Sequence, residues 1–135
     1  MRKLFSTRYN AGAFNTALLI LRLGFGILLA HHGYLKFLNF QQTEGFMMDF
    51  MGLGKSTTTC LVIFTELFCA ILVIIGLFTR LACIPIIFLF IIIIFKATGP
   101  DFFGKSELPE LYLAGFLAIL LAGPGKASVD NMISK

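Results

Sequence analysis

The feature that most constrains this chain is the uninterrupted apolar run from Leu81 to Phe95. An Ile-rich stretch can read as a buried strand, but this one is too long for that and reads as a helix. Extended to Thr79–Ala97, it approaches the ~20 residues that a helix needs to cross a hydrocarbon core about 30 Å thick. Three other segments behave similarly. Ala11–Gly33 is interrupted only by Asn15, Thr16, Arg22 and the histidines His31 and His32, and Thr58–Leu77 contains Glu66. Leu108–Gly123 is the shortest, because its charge-free part begins only at Leu111. Glu107 and Glu110 suit a helix N-terminus, Ser106 offers an N-cap, and Gly123-Pro124-Gly125 stops the helix. A re-entrant or interfacial helix is the alternative for that fourth segment. Pro85 is expected near the start of the third helix, where a missing N–H costs least.

The rest of the composition agrees. Only 13% of the 135 residues are charged and 58% are hydrophobic, whereas a soluble domain carries about 25% charged residues. So few polar side chains cannot cover a small domain, and the apolar remainder must face lipid. The expected fold is all-α: one integral membrane four-helix bundle spanning residues 1–135. The run from Ala11 to Ala30 exceeds a signal-peptide core of about 7–15 residues, so it reads as a retained first span. The net charge of +4 comes from scattered cations, with no basic stripe for nucleic acid. Cys60, Cys69 and Cys83 form no CxxC and no metal-ligand pattern, and with Met47, Met48 and Met51 they read as packing residues.

Gly76 to Arg80 makes a tight turn, so helices two and three form an antiparallel hairpin. The longer connection from Tyr34 to Ser56 holds Phe46, Met47, Phe50, Met51 and Leu53, an apolar face suited to a short interfacial helix ended by Gly52 and Gly54. Thr98–Lys105 reads as a loop anchored by Phe102 and Phe103. Four spans put both termini on one side. Arg2, Lys3, Arg8, Arg80, Lys126 and Lys135 fall there, against Lys36, Lys55, Lys96 and Lys105 opposite. The positive-inside rule places the termini in the cytoplasm.

Ionisable groups within such spans are costly and usually face the bundle interior. At about 100° per residue, Arg22, Gly26, Gly33 and Lys36 share one helix face, with His32 at its margin and His31 opposite. Thr59, Glu66, Cys69 and Val73 form a matching stripe on helix two. Arg22 and Glu66 are expected to pair, either to set helix register or to build a site. Glu66, Arg22, His32 and Lys36 are the catalytic candidates, and Lys96 and Glu110, towards the ends of helices three and four, the cofactor-binding ones. Gly24, Gly26 and Gly33 read as helix contacts. A buried carboxylate near a histidine and a lysine suits proton exchange with a quinone, acid–base work on a lipid-soluble substrate, or headgroup binding.

Leu21-Arg22-Leu23-Gly24, His31-His32-Gly33-Tyr34-Leu35-Lys36, Glu66-Leu67, Gly76-Leu77-Phe78-Thr79-Arg80 and Gly123 to Asp130 occur in that order. In this the chain resembles the DoxX family of small four-helix bacterial membrane proteins, from about Leu18 to Asp130. The resemblance implies a cytoplasmic-membrane location and a subunit of a quinone-linked or oxidative-stress redox system, with a quinone as cofactor and soluble redox proteins as partners. The alternative is a non-catalytic scaffold or carrier for a lipid or partner protein. Fold analogy alone does not choose between them.

Overall fold

The structure, a computed structural model, describes residues 4–46, 51–97 and 107–133. Among them are six helices and no strand: α1 (Ala11–Leu38), α2 (Phe40–Phe46), α3 (Lys55–Ile75), α4 (Thr79–Ile92, continued by a π-helical turn Ile93–Ala97), α5 (Glu107–Ala122) and α6 (Val129–Ile133). α1, α3 and α4 are long and apolar enough to cross a membrane, and α5 packs with them as a fourth helix.

Local chemistry explains the boundaries. The Asn10 side chain caps α1 by accepting from the N–H groups of Gly12 and Ala13. α1 runs five residues beyond Gly33, which brings Lys36 into the helix. In α3, the hydroxyls of Thr58, Thr59 and Thr65 donate to the carbonyls of Gly54, Lys55 and Leu61. This back-bonding lets polar side chains sit in an apolar span. α3 ends at Gly76, whose φ of 76° is the left-handed conformation. The Gly76 N–H reaches the carbonyls of Leu72 and Val73, and the Leu77 N–H that of Leu72, a Schellman closure.

Within α3 the winding widens to a π-helical turn over Phe64–Cys69, a device frequent at functional sites. Pro85 is the seventh residue of α4, deeper than expected, and deprives the Leu81 carbonyl of its helical donor. The short helix after α1 lies earlier than its apolar face suggests. Met51, Gly52 and Gly54 have φ of 54°, 75° and 93°, which no right-handed helix accommodates. Met47, Met48 and Phe50 lie outside the described residues, as do Ser106, Phe102, Phe103 and Lys105.

The core gathers Leu29, Cys69, Ala70, Val73, Cys83, Ile86, Phe90, Tyr112, Phe116 and Ile119 from all four long helices. Large apolar side chains also point outward along each of them, among them Ile20, Leu28, Phe68, Leu81, Phe88, Phe95 and Leu121. An apolar exterior around an apolar core is the signature of a chain surrounded by lipid. Cys60, Met51 and Gly24 belong to that exterior rather than to the packing assigned to them: all three are exposed, and nothing lies within 4 Å of a Cβ placed on Gly24.

Candidate functional site

Two glycines set how α1 and α3 meet. A Cβ on Gly33 would stand 2.8 Å from the backbone nitrogen of Leu67, and one on Gly26 would stand 2.6 Å from Cγ1 of Ile74. The antiparallel pair is thus locked with Gly33 level with Glu66 and Gly26 level with Ala70 and Ile74. This register overturns the expected Arg22–Glu66 pair. Arg22 is 11 residues from Gly33 along α1, roughly 16 Å at about 1.5 Å per residue, and lies near the far end of α3.

Arg22 closes the end of the bundle instead. Its Nε donates to the Val73 carbonyl at 3.1 Å and its Nη2 to the Ile74 carbonyl at 3.0 Å. Its Nη1 donates to the carbonyls of Pro124 and Ala127, both at 2.7 Å. The guanidinium fork therefore satisfies two carbonyls at the end of α3 and ties the segment after α5 to them. The Asp130 carboxylate, just beyond, accepts from the N–H groups of Phe78 and Thr79 at 2.8 and 2.9 Å. It caps α4 from a distant part of the sequence, because Phe78 offers no capping oxygen. Burial pushes the Asp130 carboxyl up, but the hydrogen bonds from Thr79 and Phe78 and the charge of Arg22 outweigh this and leave it below its ordinary value.

Glu66 pairs with Lys36. Nζ of Lys36 donates to Oε1 of Glu66 at 2.7 Å. The carboxylate is 3% exposed and the lysine side chain 31%, so the pair runs from the interior towards the surface. Oε2 of Glu66 is also buried, and no donor among the described residues reaches it. Beside the pair lies a cavity of about 190 Å³, lined by His32 and Leu29 of α1, Phe90 and Ile93 of α4, and Pro109 and Tyr112 of α5. The rings of Phe90 and Tyr112 stack at 5.2 Å with 7° between planes, and His32 stands edge-on to Tyr112 at 6.1 Å. Every long helix contributes to this chamber, which sits at the end of the bundle opposite Asn15 and Lys126.

Of the residues singled out from sequence, His32, Lys36 and Glu66 come together here. Arg22 belongs to the other end. Lys96 and Glu110 are not among the residues lining the cavity, and His31 is exposed on α1. Tyr112 was missed. Its signal was present in the spacing of Pro109, Tyr112, Phe116 and Ile119, where it is the one polar side chain on the buried stripe of α5.

The DoxX family model matches residues 17–99. The chain belongs to the DoxX family. The matched residues carry Arg22, His32, Lys36 and Glu66 together with the hairpin turn, whereas α5, the carbonyls of Pro124 and Ala127 bound by Arg22, and Asp130 itself lie beyond them. No curated protein and no solved structure matches the chain. It is thus a multi-pass membrane protein of the DoxX family, with three candidate spans and a fourth helix.

Proposed function

We propose that this protein is the membrane subunit of a quinone-linked or oxidative-stress redox system of the bacterial cytoplasmic membrane, with the Lys36–Glu66 chamber as its quinone site. One observation carries the reading: a deeply buried carboxylate, ion-paired through one oxygen only, lines a ring-walled cavity in an apolar bundle. An intramembrane ionisable group is a functional-site candidate by default.

The residues fit such a ligand. The stacked rings of Phe90 and Tyr112 line the cavity, and Lys36 and His32 bring N–H donors to the same cavity as Glu66. A bound quinone supplies two-electron, two-proton carrier chemistry. In this role the Glu66 carboxylate, its charge compensated by Lys36, takes up and releases a proton, and His32, on the exposed side, passes it to the surface.

α5 forms the fourth crossing in this reading. Its 16 residues span about 24 Å, and Leu111 and Leu121 at either end face outward. Lys126 donates its N–H to Oδ1 of Asn15 at 3.0 Å, which supports both chain ends on one side. With Lys36 drawn into the chamber, the described residues Arg8, Arg80 and Lys126 on that side stand against Lys55 and Lys96 on the other. That balance favours cytoplasmic termini.

The test is quantitative mass spectrometry on the organic extract of the protein purified in mild detergent. A quinone retained in stoichiometric amount, and lost in a folded Glu66→Gln variant, is the expected result. An extract holding only bulk phospholipid would overturn the redox reading in favour of a scaffold or carrier.

A further inference from the structure

We infer that a groove at the Arg80 end of the bundle holds a phospholipid headgroup, with its phosphate on Arg80 and a primary ammonium on Asp130. That is the chemistry of a phosphoethanolamine lipid. The site is separate from the Glu66 chamber, which lies at the opposite end of the bundle.

Two opposite charges share this groove without meeting. It encloses about 430 Å³ between the first turn of α4, the Pro124-Gly125 segment and α6, and both Arg80 and Asp130 line it. Among the described residues, no carboxylate lies within 4.0 Å of the Arg80 guanidinium and no cation within 4.0 Å of the Asp130 carboxylate. The Arg80 side chain is exposed and makes no hydrogen bond to any described residue. It is nonetheless held in place. A Cβ on Gly123 would stand 2.9 Å from its Nη2 and 3.4 Å from its Cζ and Nε, so the guanidinium lies against the backbone at the end of α5. Asp130 is partly exposed and accepts one N–H on each oxygen, from Phe78 and Thr79. An ionised carboxylate offers about four lone-pair sites, so both oxygens keep room for a further donor.

A phosphate diester matches the fork of an arginine and accepts from it with charge assistance. A simple anion on Arg80 would meet the Asp130 carboxylate, and a simple cation on Asp130 would meet Arg80. A ligand carrying both charges satisfies the two at once, and an ammonium with N–H bonds can donate to Asp130 where a quaternary one cannot. The remaining walls identify its source. Phe78 and Leu81 line the same groove and are 58% and 66% exposed, offering apolar surface to acyl chains beside the polar groups. Arg80 is the second residue of a candidate span, the depth at which headgroups lie and at which basic pockets between helices collect them. The occupant is therefore a bilayer lipid rather than a free phosphate ester.

The experiment titrates the delipidated full chain in mild detergent with dihexanoyl phosphatidylethanolamine, phosphatidylcholine and phosphatidylglycerol, and counts one-to-one adducts by native mass spectrometry. The phosphatidylethanolamine should bind at least about tenfold tighter than either of the others, roughly the worth of one charge-assisted hydrogen bond. Arg80→Gln should weaken the ethanolamine and choline lipids alike, because both present the same phosphate. Equal affinity for these two lipids in the wild type would show that the ammonium is not read. Phosphatidylglycerol binding as tightly as phosphatidylethanolamine would show that the groove collects negative charge alone. Either result, binding of none of the three, or an Arg80→Gln variant that binds as the wild type does, overturns the inference. Water-soluble O-phosphoethanolamine should bind at least about tenfold more weakly than its lipid, and equal binding would overturn the assignment to a lipid.

Discussion

Gly33 lies so close to Leu67 that a Cβ on the glycine would stand 2.8 Å from the Leu67 backbone nitrogen. This contact sets the register that places Lys36, less than one turn further along α1, over Glu66. Gly33→Ala must push the two helices apart, because the obstacle is backbone rather than a flexible side chain. The expected loss is ~1–3 kcal/mol, as for other overpacked contacts. Gly24→Ala, which meets nothing, should be neutral or stabilise by up to about 1 kcal/mol through helix propensity. Denaturation in mixed micelles measures both, and equal behaviour of the two variants would refute the register argument.

Arg22 makes four hydrogen bonds to backbone carbonyls on two separate segments. Arg22→Ala should destabilise by ~3 kcal/mol or more, since several buried acceptors lose a charged donor together. Arg22→Lys should recover only part of this, because one ammonium cannot reproduce a planar fork. The same denaturation assay decides, and an alanine variant within about 0.5 kcal/mol of the wild type would show that the fork does not hold this end together.

The Lys36–Glu66 pair predicts strong non-additivity. Lys36→Met alone leaves a buried carboxylate uncompensated and should cost ~3–5 kcal/mol, whereas the double variant Lys36→Met, Glu66→Leu should cost markedly less. A double-mutant cycle reads the coupling directly. Additive losses would mean that the two side chains do not share the interaction at 2.7 Å.

Asp130 gives a pH prediction of definite sign. Its carboxyl lies below the ordinary value of 3.8 in the folded protein, so the unfolded chain binds the proton more readily. The stabilisation is complete above the unfolded value and is lost as pH falls through the lower folded one. The stability difference between wild type and Asp130→Asn should therefore be constant near neutrality and shrink below about pH 4. Melting temperatures of both proteins across that range test it, and a difference that persists unchanged into acid would exclude the cap as its source.

The long helices were legible because apolar length is a strong signal that needs no partner. The buried faces were legible too: Arg22, Gly26 and Gly33 on α1, and Thr59, Glu66, Cys69 and Val73 on α3, are all buried. The pairing between those faces was not. Periodicity fixes which way a side chain points but says nothing of how far one helix slides along another, and here that depends on two glycine contacts and on α1 continuing to Leu38. Asp130 as a cap on α4, 51 residues away from Thr79, leaves no local signature either. Phe78, whose φ of 49° is left-handed, makes no side-chain cap, so only a distant group can pair with the first N–H groups of α4.

The bonds of Arg22 also impose an order on how the protein is made. Its carbonyl partners lie 51 and 52 residues ahead in Val73 and Ile74, and 102 and 105 residues ahead in Pro124 and Ala127. When α1 leaves the ribosome, its guanidinium has none of them. The bonds to Val73 and Ile74 form only after the second helix has arrived, and the last two only after Pro124 and Ala127 have been synthesised. Membrane insertion and the closing of this knot are thus separate events, with a charged side chain waiting between them.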